Sequence, residues 1–181
     1  MSSDAVILAT RHWLERAVIG LNLCPFAKSV YVREQVRFVA GEAATREEAV
    51  GDLRAELVFL RDAEASIVDT TLLIQPRVFP DFLEFNDFLD VADALVAREG
   101  LRGVIQIASF HPGYQFAGSA LEDLGNCTNR APFPVLHLLR ESSVARAVAA
   151  FGDTDEIVAR NQVTLEALGH EGWKRLMEPP V

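Results

Sequence analysis

The chain has 181 residues, of which 50% are hydrophobic and 24% are charged, and its formal net charge is −9. This balance is that of an ordinary globular protein, and a chain of this length fits one domain. The negative charge argues against a nucleic-acid partner, because phosphate binding needs a basic face and the lysines and arginines are dispersed here. No long apolar run occurs, so the sequence predicts no membrane-spanning helix.

The N-terminus and the cysteines favour the cytoplasm. The first residues lack the basic start of a secretory signal, and Arg11 and His12 interrupt their short apolar run. Cys24 and Cys127 lie about a hundred positions apart in a chain without an export signal, which disfavours a structural disulfide. We therefore expect a cytoplasmic protein.

Three helices are indicated in the first hundred residues. Apolar residues recur every three or four positions over residues 4–21. Thr45 begins a second helix, with Glu48 three positions later completing a capping box. Asp81 begins a third helix that ends at Gly100, a residue that favours the left-handed conformation at helix ends.

Four segments have strand patterns. They cover residues 35–40, 70–75, 104–110 and 135–139. The near-continuous apolar run at 104–110 suits a strand that is covered on both faces. Pro132 and Pro134 confine the run at 135–139 to an edge or to the beginning of a strand.

The order of these elements predicts an α/β fold. Strands separated by helices of about fifteen residues imply right-handed crossovers and a partly parallel sheet. After Glu141 the chain reads as helical, with Thr154 capping one helix and a short final helix carrying Trp173. We predict one domain over residues 1–181, with a mixed sheet of about four strands, helices packed on it and a helical C-terminal segment. An α+β fold is the alternative.

The long loop after the third strand holds most of the candidate chemistry. A loop of about two dozen residues in a small domain is usually functional or disordered, and its aromatic and specific polar residues argue against disorder. His111 ends the strand and opens this loop, where it suits general acid–base catalysis. The alternative is a histidine that caps backbone groups. Because ligands bind beyond the carboxyl ends of strands in such sheets, we expect the loop to form one wall of a site.

Four further residues of this region are candidates for binding an anionic substrate. Arg130 and Arg140 have the side chains that clamp a carboxylate or phosphate through paired hydrogen bonds. Tyr114 and Asn129 would orient the substrate. Salt bridges of the arginines to nearby carboxylates, and hydrogen bonds of the asparagine to local backbone, are the structural alternatives.

Cys24 is the candidate nucleophile, and a small buried hydrophobic residue is its alternative role. His137 lies on an apolar strand face, where a histidine is more often part of the core. Together Cys24, His111, Cys127 and His137 have the composition of a Cys₂His₂ metal site. The close ligand pairs typical of structural zinc are missing, so no metal is predicted. No phosphate-binding or dinucleotide motif is present, and the sequence identifies no cofactor.

Five segments of the sequence resemble the DUF1415 family, a group of uncharacterised proteins. They are TRHWLERAVIGLNLCPFAKSVY, DFLEFNDFLDVAD, ASFHPGYQFAG, NCTNRAPFPVLHLLRE and RNQVTLEALGHEGW. The resemblance covers nearly the whole chain and implies a stand-alone domain of this length. It implies no activity.

From the residues we expect a small cytoplasmic enzyme that acts on an anionic small molecule. His111 would be its acid–base group, Cys24 its nucleophile, and Arg130 and Arg140 its anion-binding residues. Two alternatives stay open: a non-catalytic module that binds a ligand or a metal, and an interaction domain whose aromatic loop docks a protein partner.

Overall fold

One four-stranded sheet organises the fold in the computed structural model, which describes residues 1–151 and 155–178. The strands are β1 (Val36–Ala40), β2 (Thr70–Ile74), β3 (Ile105–Phe110) and β4 (Val135–Arg140). Their order in the sheet is β1-β2-β4-β3. β1 and β2 are parallel, and β4 runs antiparallel to both β2 and β3. The predicted α/β fold with a mixed sheet is therefore confirmed.

The two last strands occupy places that their sequences did not determine. β4 lies in the centre of the sheet, and Pro134 immediately precedes it. Because the proline precedes the strand, its missing N–H removes no donor from the ladder. Its carbonyl oxygen accepts a hydrogen bond from the N–H of Gln75 at 2.8 Å. β3 is an edge strand in which Ile105 alone is fully buried. The expectation of cover on both faces of β3 is wrong, because an apolar run does not specify how the strand is paired.

Helices lie on both sides of the sheet. They are α1 (Ser3–Trp13), which continues as a π-helical segment (Leu14–Ile19), α2 (Ala27–Val32), α3 (Arg46–Asp62), α4 (Phe82–Arg98), a 3-10 helix (Leu124–Asn129), α5 (Glu141–Phe151) and α6 (Asp155–Met177). Gly169 interrupts α6 with a φ of 68°, where the sequence predicted two helices. The predicted cap Thr154 lies outside the described residues. Within residues 1–151 and 155–178, no helix has the length and apolar character needed to cross a membrane.

Local capping signals begin α3 and α4 where the sequence predicted. The Thr45 hydroxyl accepts a hydrogen bond from the N–H of Glu48, and the Glu48 carboxylate accepts one from the N–H of Thr45, each at 3.2 Å. The Asp81 carboxylate accepts hydrogen bonds from the N–H groups of Leu83 and Glu84. Such caps satisfy N–H groups that have no partner inside the helix.

The sheet separates two hydrophobic clusters. α3 and α4 fill one face with fully buried side chains, among them Leu53, Leu57, Phe85 and Phe88. On the second face, α1 and the π-helical segment pack Trp13 and Leu14 against residues of β2 and β4. α5 follows β4 directly, and none of its residues is fully buried. The second face is therefore only partly filled, and this difference positions the candidate site.

Candidate functional site

A cavity of about 640 Å³ lies on the second face of the sheet. Strand residues form its floor, the π-helical segment and the chain up to the end of α2 form one side, and α5 forms the other. Its apolar lining includes Trp13, Leu14, Val18, Leu72, Ala108 and Phe110. Sites for small organic molecules are mostly apolar and measure roughly 300–1,000 Å³. The cavity is therefore large enough for such a molecule.

Small side chains keep this space open. α5 contributes Ala147 and Ala150 to the lining, and β3 contributes Ala108 from below. Phe151 at the end of α5 packs edge-on against Phe26, with ring centroids 5.8 Å apart. Protein interiors are close-packed, with few voids larger than a water molecule. A space of this size is therefore a feature of the fold rather than a packing irregularity.

The charged residues of the lining are mostly positive, whereas the whole chain is negatively charged. They are Arg33, Asp69, Arg140 and Arg146, in a protein whose net charge is −9. Arg33 donates from Nε to the side chain of Gln35, and Arg146 donates from Nη2 to the hydroxyl of Ser143. The other N–H groups of these two guanidinium groups have no hydrogen-bond partner among the described residues. They are available to an anion at the cavity.

His137 lies on the cavity floor, in the middle of β4. Its Nε2 is 2.7 Å from Oγ1 of Thr70, and the same Oγ1 is 2.6 Å from the carbonyl oxygen of Leu138. A carbonyl oxygen only accepts, so Thr70 donates its single hydrogen to Leu138 and accepts the hydrogen of Nε2. Burial lowers the pKa of His137 to about 4. The ring is therefore neutral near pH 7, with the hydrogen on Nε2 and none on Nδ1.

Cys24 lines the same cavity from the chain that follows the π-helical segment. It is half-buried and forms no disulfide. Its carbonyl oxygen accepts a hydrogen bond from the N–H of Ala27, the first residue of α2. The structure thus places Cys24 and His137 in one cavity, and His111 does not line it.

His111 is buried at the end of β3 with both ring nitrogens engaged. Nε2 lies 3.0 Å from the carbonyl oxygen of Phe79, and Nδ1 accepts a hydrogen bond from the N–H of Gly113 at 3.0 Å. The ring stacks on Phe85, with centroids 5.3 Å apart. Burial lowers its pKa, against the opposing effects of the Phe79 hydrogen bond and the charge of Asp81. This is the geometry of a histidine that caps backbone groups.

The loop residues that were candidates for substrate binding hold the loop itself. Arg130 donates to the carbonyl oxygens of Tyr114 at 3.2 Å and of Leu121 at 2.7 Å. Asn129 donates from Nδ2 to the carbonyl oxygen of Ser109 at 3.0 Å. No residue of the loop between β3 and β4 lines the cavity. The loop is a built structure whose polar side chains satisfy its own backbone.

Arg140 holds the end of α3. Its Nη2 lies 2.7, 2.6 and 3.2 Å from the carbonyl oxygens of Leu60, Ala63 and Val68. Carbonyl groups at a helix C-terminus lack partners inside the helix, and a cation there is favourable. Arg140 ends β4 whereas Arg130 precedes it, and a strand of six residues spans roughly 20 Å. The structure does not bring the two arginines together as one clamp.

The residues that suggested a metal site are not assembled either. Cys127 is buried beside Leu23 and Leu165, and burial raises the pKa of its thiol although Arg130 lies nearby. In the part of the chain that the structure describes, no group of three or more His, Cys, Asp or Glu side chains is placed to hold a metal ion.

A family model for DUF1415, described as a protein of unknown function, matches residues 5–175. The chain belongs to this family. No curated protein and no solved structure matches it. The function of this DUF1415 protein therefore has to be inferred from the cavity.

Few features of the sequence of this DUF1415 protein predict the cavity. Its lining is drawn from residues 13 to 151, so no local spacing marks it. Thr70 lies in a predicted strand and Trp13 in a predicted helix, and neither pattern marks a cavity. One signal was present: α5 is rich in alanine, and a helix with small side chains at Ala147 and Ala150 cannot fill the space above a sheet.

Proposed function

We propose that this DUF1415 protein binds a small organic anion with a large apolar part in the cavity on the second face of the sheet. The cavity itself carries the proposal, because its volume and apolar lining suit such a body. The free N–H groups of Arg33 and Arg146 supply charge-assisted hydrogen bonds for the anionic group.

The proposal keeps the class of ligand expected from the sequence and changes its place. An anionic small molecule was expected at the loop that His111 opens. The side chains of His111, Asn129 and Arg130 are engaged with backbone groups, whereas the cavity offers unengaged donors. A cytoplasmic location and the absence of a nucleic-acid partner belong to the same proposal, and the net charge of −9 supports the second.

Calorimetric titration with octanoate and octanol tests this function. The two molecules share an apolar chain and differ in charge. We expect octanoate to bind one site per chain and octanol to bind about tenfold more weakly, since a hydrogen bond to a charged group contributes about 1.5–3 kcal/mol. Arg146→Gln should reduce the difference, and Arg98→Gln, at an exposed position in α4, should not. Equal binding of both molecules, or none, would contradict the proposal.

A second candidate function is catalysis with Cys24 as the nucleophile. The observation in its favour is that Cys24 and His137 line one cavity. A histidine with a pKa of about 4 is a weak general base near neutral pH. We therefore favour ligand binding over catalysis as the function of the cavity.

Alkylation by iodoacetamide tests the place of Cys24. Cys24 should react in the free protein and be protected by octanoate, whereas the buried Cys127 should react slowly in both states. A rate at Cys24 that octanoate does not change would separate this thiol from the bound ligand.

A further inference from the structure

We propose that the ligand of the cavity carries a hydroxyl group that donates a hydrogen bond to Nδ1 of His137. This inference rests on the proposed binding function and names the ligand class: an apolar carboxylate with a second, hydroxyl-bearing end.

The Thr70 hydroxyl determines which ring nitrogen of His137 is left to accept a hydrogen bond. Its hydrogen is directed to the carbonyl oxygen of Leu138 at 2.6 Å, so its lone pair faces Nε2 of His137 at 2.7 Å. Nε2 must then carry the ring hydrogen. Nδ1 is left as an acceptor, and no described residue donates to it. Thr70 is thus a positioning residue, and His137 is the residue that meets the ligand.

The surroundings turn this acceptor into a selective contact. His137 lies among apolar lining residues, with the Phe110 ring centroid 6.1 Å from its own. His137 is half-buried, and when a bound ligand displaces water from the cavity, Nδ1 loses a hydrogen bond unless the ligand donates one. A hydroxyl group restores it, whereas an ether oxygen or a carboxylate sets one acceptor against another. Sites built to hydrogen-bond a hydroxyl reject analogues that lack it.

The polar groups of the cavity also lie on different elements. His137 belongs to the floor on β4, whereas Arg33 directly follows α2 and Arg146 lies in α5. Most of the remaining lining is apolar. A matching ligand therefore has its anion at the arginines, an apolar middle and its donor at the floor.

Matched pairs of ligands test the inference. The probes are ω-hydroxyalkanoates with six to ten carbons and the methyl ethers of the same acids, titrated calorimetrically. The best hydroxy acid should bind about tenfold more tightly than its ether, the effect of one hydrogen bond. His137→Phe should abolish the difference. Thr70→Val should reduce it, because the ring is then free to carry its hydrogen on Nδ1.

The outcomes separate this inference from the proposed function. Suppose that the two members of every pair bind with equal affinity and that Ala147→Trp binds neither. This result would overturn the inference and leave the binding function standing. Failure of octanoate and of every hydroxy acid to bind would overturn both.

A measurement on the wild-type protein without ligand tests the inference even where a variant does not fold. The ¹⁵N spectrum of the His137 ring in the wild-type protein should show a protonated Nε2 and an unprotonated Nδ1, and Thr70→Val should shift this balance. A protonated Nδ1 in the wild-type protein would overturn the inference.

Discussion

The hydroxyl oxygen of Thr70 and Nε2 of His137 lie 2.7 Å apart, across the antiparallel pair of β2 and β4. The contact joins two central strands and sets which ring nitrogen of His137 remains open. The half-buried ring that this contact holds also lines the cavity, so the contact bears on both stability and ligand binding.

The first prediction concerns pH and His137. Its pKa is about 4 in the folded protein, against an ordinary value of 6.5. Above pH 6.5 the ring is neutral in both states. As the pH falls from 6.5 towards 4, the unfolded chain takes up the proton before the folded protein does. The free energy of unfolding therefore decreases, by roughly 3 kcal/mol over this whole range. Urea unfolding at pH 7 and pH 5 should show a smaller decrease for His137→Gln. An equal decrease in both proteins would contradict the lowered pKa.

The second prediction concerns two glycines. A Cβ at Gly41 would lie 2.6 Å from both Oδ2 of Asp52 and Oε1 of Gln75, and Gln75 is fully buried. Gly41→Ala should therefore lower the free energy of unfolding by about 1–3 kcal/mol. Gly51→Ala, in α3 with open space around it, is the matched control and should raise it by about 0.5–1 kcal/mol. Chemical denaturation of both variants checks this, and a neutral Gly41→Ala would contradict the contact.

The third prediction separates His111 from ligand binding. His111→Ala leaves the carbonyl group of Phe79 and the N–H of Gly113 without their partner and removes a buried ring. The free energy of unfolding should fall by about 2–4 kcal/mol, with octanoate affinity unchanged because His111 does not line the cavity. Normal stability with lost binding would instead support the catalytic or binding role that the sequence suggested.

The fourth prediction concerns the end of α3. Arg140→Met keeps the apolar stem and removes the donor to the carbonyl oxygens of Leu60, Ala63 and Val68. We expect a loss of about 1.5–3 kcal/mol, the contribution of hydrogen bonds to a charged group. Thermal unfolding should show the loss, with Arg98→Met as the exposed control. Equal midpoints for the two variants would mean that the cap does not stabilise the helix.

Local chemistry made part of the fold predictable. The capping box of Thr45 with Glu48 and the cap at Asp81 involve neighbours in sequence, so the sequence alone placed the beginnings of α3 and α4. The order of the strands depends on pairing between distant segments. The insertion of β4 between β2 and β3 therefore had no local signal.

The candidate site was less predictable for the same reason. His111, Asn129 and Arg130 have the side chains of a site, but their partners are backbone groups of the folded loop, which a sequence pattern does not show. For His137 the sequence predicted a core position, and the structure shows that it lines the cavity. Its strand face was predicted as apolar, and only the space left beneath α5 distinguishes it from a core residue.

The most direct test of the cavity as a binding site is to fill it. Ala147 lines the cavity on α5, whereas Ala145 on the same helix is exposed and does not line it. The measurement is calorimetric titration of octanoate into Ala147→Trp, with Ala145→Trp as the matched control and circular dichroism to confirm both folds. We predict that Ala145→Trp binds like the wild-type protein and that Ala147→Trp shows no binding. Wild-type affinity in a folded Ala147→Trp protein would contradict the cavity as the site.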